Sequence, residues 1–79
     1  MHELMITQKI VEMIEEECQK HSISAKRALL EVGQDTTFKA EPILYYYKIL
    51  VSGKELLSNC SLQIQTVAGD DVRLKEIED

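Results

Sequence analysis

The spacing of apolar residues switches between two periods along this chain, and that switching limits what it can fold into. From Leu4 to Cys18, apolar side chains fall at Leu4, Ile6, Ile10, Val11, Met13, Ile14 and Cys18. That is the repeat of an amphipathic helix with one buried stripe, opposite a polar face of Gln8, Lys9, Glu12, Glu15, Glu16 and Gln19. The acidic run Glu15-Glu16-Glu17 belongs to the solvated side, and Lys20-His21-Ser22 ends the helix, with His21 an exposed last-turn residue. From Ala25 to Gly33 the period drops to two: Ala28, Leu30 and Val32 point one way, and Arg27, Leu29 and Glu31 the other. Gln34 to Ala40 is turn-like, with Asp35-Thr36-Thr37 offering capping oxygens.

A second helix is predicted from about Glu41-Pro42, where proline's missing N–H costs nothing because a first-turn N–H has no intrahelical partner. Its stripe is Ile43, Leu44, Tyr47, Leu50 and Val51, and Gly53 suits the position just past its end. Tyr45-Tyr46-Tyr47 cannot share one helix face, so at least one ring should be exposed or sit at an interface, the plainer arrangement being one core tyrosine with two at the rim. After a connector from Lys54 to Asn59, Leu62 and Ile64 alternate with Gln63 and Gln65 in a second strand. Ala68-Gly69-Asp70-Asp71 turns the chain into a third, where Val72 and Leu74 alternate with Arg73 and Lys75. Ile77 is out of that phase, so a bulge or strand end is expected near Lys75-Glu76. The fold class is α+β, a two-layer arrangement of two helices on a small mixed three-stranded sheet, in the order α-β-α-β-β. The first two strands should be parallel through a right-handed crossover. The short link between the last two predicts an antiparallel hairpin.

Seventy-nine residues make one domain with a marginal core. A net charge of −5 lacks the basic footprint that nucleic acid requires. No signal peptide and no apolar run of membrane-spanning length is present, so a cytoplasmic protein is expected, with neither membrane nor nucleic acid as partner. Cys18 and Cys60 form no CxxC pair and read as small buried thiols. There is no Gly-rich phosphate loop and no nucleophile–base pairing, and two histidines leave little for general acid–base chemistry, so no enzyme is expected.

What chemistry remains gathers at Met1-His2-Glu3. The Met1 amine and the His2 amide nitrogen can close a five-membered chelate ring, and the same amide and His2 Nδ1 a six-membered one. Using them takes a divalent ion that displaces an amide proton and favours square-planar geometry, as Ni²⁺ and Cu²⁺ do and Zn²⁺ does poorly. The fourth position is open to the Glu3 amide, the Glu3 carboxylate or a partner's ligand. Met1 should be retained, since a bulky second residue such as histidine disfavours its removal. The plainer alternative is that a histidine so near an N-terminus is only a solvated side chain.

Met1-His2-Glu3-Leu4 opening an amphipathic helix resembles the HypA/HybF nickel-insertion proteins of hydrogenase maturation. So do the strand ending Glu31-Val32-Gly33, the helix from Glu41 to Val51 followed by Ser52-Gly53, and the closing run from Gly69 to Glu78. The likeness extends over essentially the whole chain. It implies a nickel metallochaperone module for [NiFe]-hydrogenase, with Met1, His2 and Glu3 at the metal. It also implies a HypB-type GTPase and the hydrogenase large subunit as partners, met partly through the polar face of the first helix at Lys9, Glu12 and Glu16. The family carries a zinc subdomain with two CxxC pairs between its last two strands. Here Thr66-Val67-Ala68-Gly69 runs straight across that point, so residues 1–79 read as a single nickel-binding domain lacking the insertion near 67–70, and no zinc is expected. Lys39 stands where relatives often have an acidic residue, and Glu41 or Asp35 are the nearby carboxylates. The other reading is a metal-free interaction module that kept the fold. A homodimer is possible, because small sheets have free edges.

Overall fold

A computed structural model describes residues 2–79. The elements run α1 (His2–His21), β1 (Arg27–Gly33), α2 (Ala40–Val51), β2 (Ser61–Val67) and β3 (Val72–Glu78). They form the expected α+β arrangement of two helices and a mixed three-stranded sheet. The least extent of the Cα trace is 15 Å, the depth of one helix layer on one sheet layer. Among the described residues no helix is long and apolar enough to cross a membrane.

Burial sharpens the α1 stripe. Ile10, Val11, Ile14 and Cys18 are buried as predicted, but Met13 is exposed, Leu4 and Ile6 are only half-buried, and Glu3 and Thr7 complete the inward line. The helical repeat runs 3, 7, 10, 14, 18, so the two polar residues fall on the core side while Met13 falls outside it. Thr7 is tolerated there because its hydroxyl donates to the Glu3 carbonyl one turn back. The helix ends in a Schellman motif: Ile23 N–H reaches Cys18 O at 2.9 Å and Ser22 N–H reaches Gln19 O at 3.4 Å. Ser22 takes the left-handed φ of 55° that glycine would adopt more readily.

In α2, Ile43, Tyr47 and Val51 are buried, whereas Leu44 lies on the open side of the stripe and is 38% exposed. The tyrosines divide as one core residue and two at the rim. Tyr47 donates its hydroxyl to Cys60 O at 3.0 Å, while Tyr45 is exposed and meets Tyr46 edge-on at 5.4 Å. The N-cap is Lys39, with no side-chain cap, so Asp35, Thr36 and Thr37 do not supply the oxygens expected of them. Thr36 instead donates back to Gly33 O at 2.9 Å, closing the turn after β1. The connector before β2 holds a fully buried Leu57 that no periodicity marks.

The sheet order is β2-β1-β3, with β1 parallel to β2 and antiparallel to β3. The predicted β2–β3 hairpin does not form. β1 carries the most apolar inward face, Ala28, Leu30 and Val32, and takes the centre, where both of its sides are covered. The four residues between β2 and β3 are long enough to step over its end, since two strand spacings are only about 10 Å. That crossing is tight: Asp35 N–H bonds Gly69 O at 2.9 Å and Gly33 N–H bonds Asp71 O at 2.7 Å. A Cβ on Gly33 would sit 2.3 Å from Gly69 O, so β1 can end there only on glycine. The expected bulge is present. Register passes from Leu30↔Leu74 to Leu29↔Glu76, leaving Lys75 without a partner and returning Ile77 to the inner face opposite Ala28.

Candidate metal centre

His2, the first described residue, opens α1, and the segment after β1 passes beside it. The His2 ring meets Phe38 edge-on, centroids 5.0 Å apart, and its Nε2 lies 3.3 Å from Thr37 Oγ1 and 3.5 Å from Glu3 Oε2. These contacts hold a side chain that is still 56% exposed. A carboxylate can only accept, so the approach to Glu3 favours the tautomer with the proton on Nε2, whereas a hydroxyl donated by Thr37 would favour the other. With the proton on Nε2, the neutral ring has its free lone pair on Nδ1.

Glu3 is the unusual member of the site, because a carboxylate with a residue exposure of 8% needs compensation. Burial alone would raise its pKa. Hydrogen bonds from its own N–H and from the Lys39 N–H, together with the charge of His2, outweigh that and hold the carboxyl below the usual range. Its place in the first helical turn adds a favourable interaction with the helix dipole. Lys39 therefore contributes its backbone, not its side chain, at the place where the resemblance implies an acidic residue.

Met1 lies outside the described residues. Among the described residues no three His, Cys, Asp or Glu side chains gather where they could hold an ion, so Asp35 and Glu41 do not complete a side-chain site with His2 and Glu3. What this end offers a cation is one imidazole and backbone nitrogens. Of these, the His2 amide lies in the first turn and has no intrahelical acceptor, whereas the Glu3 N–H already bonds the Glu3 carboxylate. His21, at the other end of α1, is exposed and pairs with Glu17 at 3.3 Å. Cys18 and Cys60 are buried free thiols, and burial pushes the Cys60 thiol upward, away from the thiolate form that binds metals. Thr37, Phe38 and the Lys39 amide were missed by sequence reasoning. Their role depends on the post-β1 segment folding back over the start of α1, a long-range packing that no local spacing reports.

Residues 1–78 match the family described as hydrogenase/urease nickel incorporation, metallochaperone, hypA. Over 69 residues the chain is 36% identical to hydrogenase maturation factor HypA of Rippkaea orientalis. That alignment takes in 87% of this chain but 58% of the relative, so the chain spans little more than half the length of the curated relative it matches. The fold is similar to the solution structure of the Ni metallochaperone HypA from Helicobacter pylori, with a TM-score of 0.82 and 11% identity over 96% of this chain and 95% of that one.

Proposed function

The chain belongs to the HypA family of hydrogenase/urease nickel-incorporation metallochaperones, and from that membership we propose that it carries Ni²⁺ on Met1, His2 and Glu3 as a module of [NiFe]-hydrogenase maturation. The observation that supports this most is the fixing of the His2 ring through Nε2, by Glu3 at 3.5 Å and Thr37 at 3.3 Å, which leaves Nδ1 for the ion. A carboxylate that orients a ligating imidazole through its other nitrogen is a common outer-shell device. In this reading His2 Nδ1, the His2 amide and the Met1 amine bind the ion, and the fourth place of a square plane goes to the Glu3 amide, the Glu3 carboxylate or a partner's ligand. The Glu3 carboxylate, already engaged by Lys39 N–H and His2, positions the ring and offsets the charge of the cargo.

A helix N-terminus is the positive end of the dipole and by itself repels a cation. Binding there requires anionic donors, which the deprotonated amides supply, and it suits a carrier that must also release its ion. Proton loss from amine and amide accompanies binding, so affinity falls as pH falls. Residues 1–79 act in this reading as a single nickel-handling domain in which the link at 68–71 replaces the zinc insertion. The partners proposed are the HypB-type GTPase and the hydrogenase large subunit, with the exposed Lys9, Glu12 and Glu16 face as a contact surface.

The test is titration of Ni²⁺ into untagged protein, followed by visible absorption. A weak ligand-field band that saturates at one ion per chain is expected, and one extra residue ahead of Met1 should remove it. Saturation unchanged by that extension would move the site elsewhere. No band at all would favour the metal-free interaction module.

A further inference from the structure

Residues 33–39, which leave β1 and run to the start of α2, are pinned at both ends to different parts of the molecule. At the β1 end the chain joining β2 to β3 lies across them. Gly33 N–H bonds Asp71 O at 2.7 Å, Gln34 N–H bonds Val67 O at 2.7 Å and Asp35 N–H bonds Gly69 O at 2.9 Å. At the α2 end the same segment closes on the candidate metal centre. There Thr37 Oγ1 lies 3.3 Å from His2 Nε2, the Phe38 ring stands edge-on to the His2 ring, and Lys39 N–H bonds the Glu3 carboxylate. Little slack is left between the two ends. Thr36 bonds Gly33 O twice, through its N–H at 3.1 Å and its hydroxyl at 2.9 Å, which closes the segment into a turn. On its outer side the crossing link is open, with Ala68, Gly69, Asp70 and Asp71 all exposed.

We propose that the link at 68–71 sets how firmly the site at His2 and Glu3 is held, acting through residues 33–39, so that a protein which grips the exposed link and draws it off β1 loosens the ion. This rests on the reading of His2 as a nickel ligand, and adds a positioning element that touches neither the ion nor its ligands. The His2 side chain is 56% exposed, and Thr37 and Phe38 are what orient it from outside its own helix. Those two are held only as well as the turn that carries them, and the hydrogen bonds to the link fix that turn against the sheet. A donor already oriented loses less freedom on binding, so slackening the turn weakens the grip without removing a ligand.

The test slackens the link and leaves the site's own residues in place. A Gly-Gly insertion between Asp70 and Asp71 does this, and lengthening an exposed loop costs little stability. A Gly-Gly insertion between Gly53 and Lys54, in the turn after α2, is the control. Gly69→Ala is a second, milder variant. Its Cβ would meet nothing within 4 Å, but a φ of 109° suits only glycine, so it disturbs the link through the backbone alone. In the metal-free chain, the His2 ring NMR signals should move toward those of an unpacked histidine in both link variants and stay in place in the control. Nickel affinity, by calorimetry, should fall by about 2- to 30-fold with the link insertion. Combined with Phe38→Ala, the insertion should cost less than it does alone, since both act through one segment. Ring signals that ignore both link variants, or a nickel affinity that the link insertion lowers no more than the control does, overturn the proposal. A chain that binds no nickel even without the insertion removes the nickel reading instead, and the ring signals then decide the coupling by themselves.

Discussion

His2 and His21 stand at opposite ends of the same helix, both exposed, each within 3.5 Å of a glutamate, and yet they differ in everything that would make a ligand. His21 reaches Glu17, a neighbour one turn back on the same helix face. That contact is local, screened by water and worth only a few tenths of a kcal/mol. His2 is held from outside its helix as well, by Thr37 and Phe38, and its glutamate is buried and bonded to the Lys39 amide. The backbone around them differs too. At His21 the helix presents carbonyls, gathered by the Schellman turn, whereas at His2 it presents N–H groups with no helical acceptor. The same residue type becomes a candidate ligand only where the fold orients the ring beside backbone N–H groups and not carbonyls.

Substitutions can break this contrast. The largest effect expected is loss of about 100-fold or more in nickel affinity for His2→Ala, since it removes a ligand and not merely an outer-shell partner. His21→Ala should leave affinity unchanged, and parallel titrations decide it. Next comes Glu3→Gln, which keeps the size and an acceptor for Lys39 N–H but removes the charge beside His2. It should weaken nickel binding by about tenfold without unfolding the chain, as calorimetry and a thermal melt would report. The smallest effect belongs to the other end. Ser22→Gly relieves a left-handed residue at φ 55° and should stabilise the fold by about 0.5–1 kcal/mol in chemical denaturation, with nickel affinity untouched.

The sequence made the elements legible because each carries its own period. The α1 and α2 stripes, the inward face of β1 and the bulge at Lys75 follow from local spacing, and the last is visible because Ile77 is out of step. The β2–β3 pairing did not follow, since a short link predicts a hairpin unless a third strand claims the space between them. What signals the crossing is Gly33, whose missing Cβ admits Gly69 O, but glycine also ends strands where no chain crosses. Met13 and Leu44 read as core because they are apolar, although the helical repeat of the buried residues passes them by. Glu3 and Thr7 read as surface because they are polar, although they lie on that repeat. At the candidate site, His2 and Glu3 were legible as residue types. The burial of Glu3 and the contacts from Thr37, Phe38 and Lys39 were not, because they join positions 35 or more residues apart.

The central claim is that His2 binds nickel through Nδ1 while Nε2 remains tied to Glu3 and Thr37. Its most direct test is two-bond proton–nitrogen NMR of the histidine side chains, recorded as Ni²⁺ is added to the untagged chain. Nδ1 ligation predicts a large shift of the His2 Nδ1 resonance, retention of protonated Nε2, and His21 signals that stay in place. Movement of His2 Nε2 in place of Nδ1, or a response at His21 alone, would contradict it.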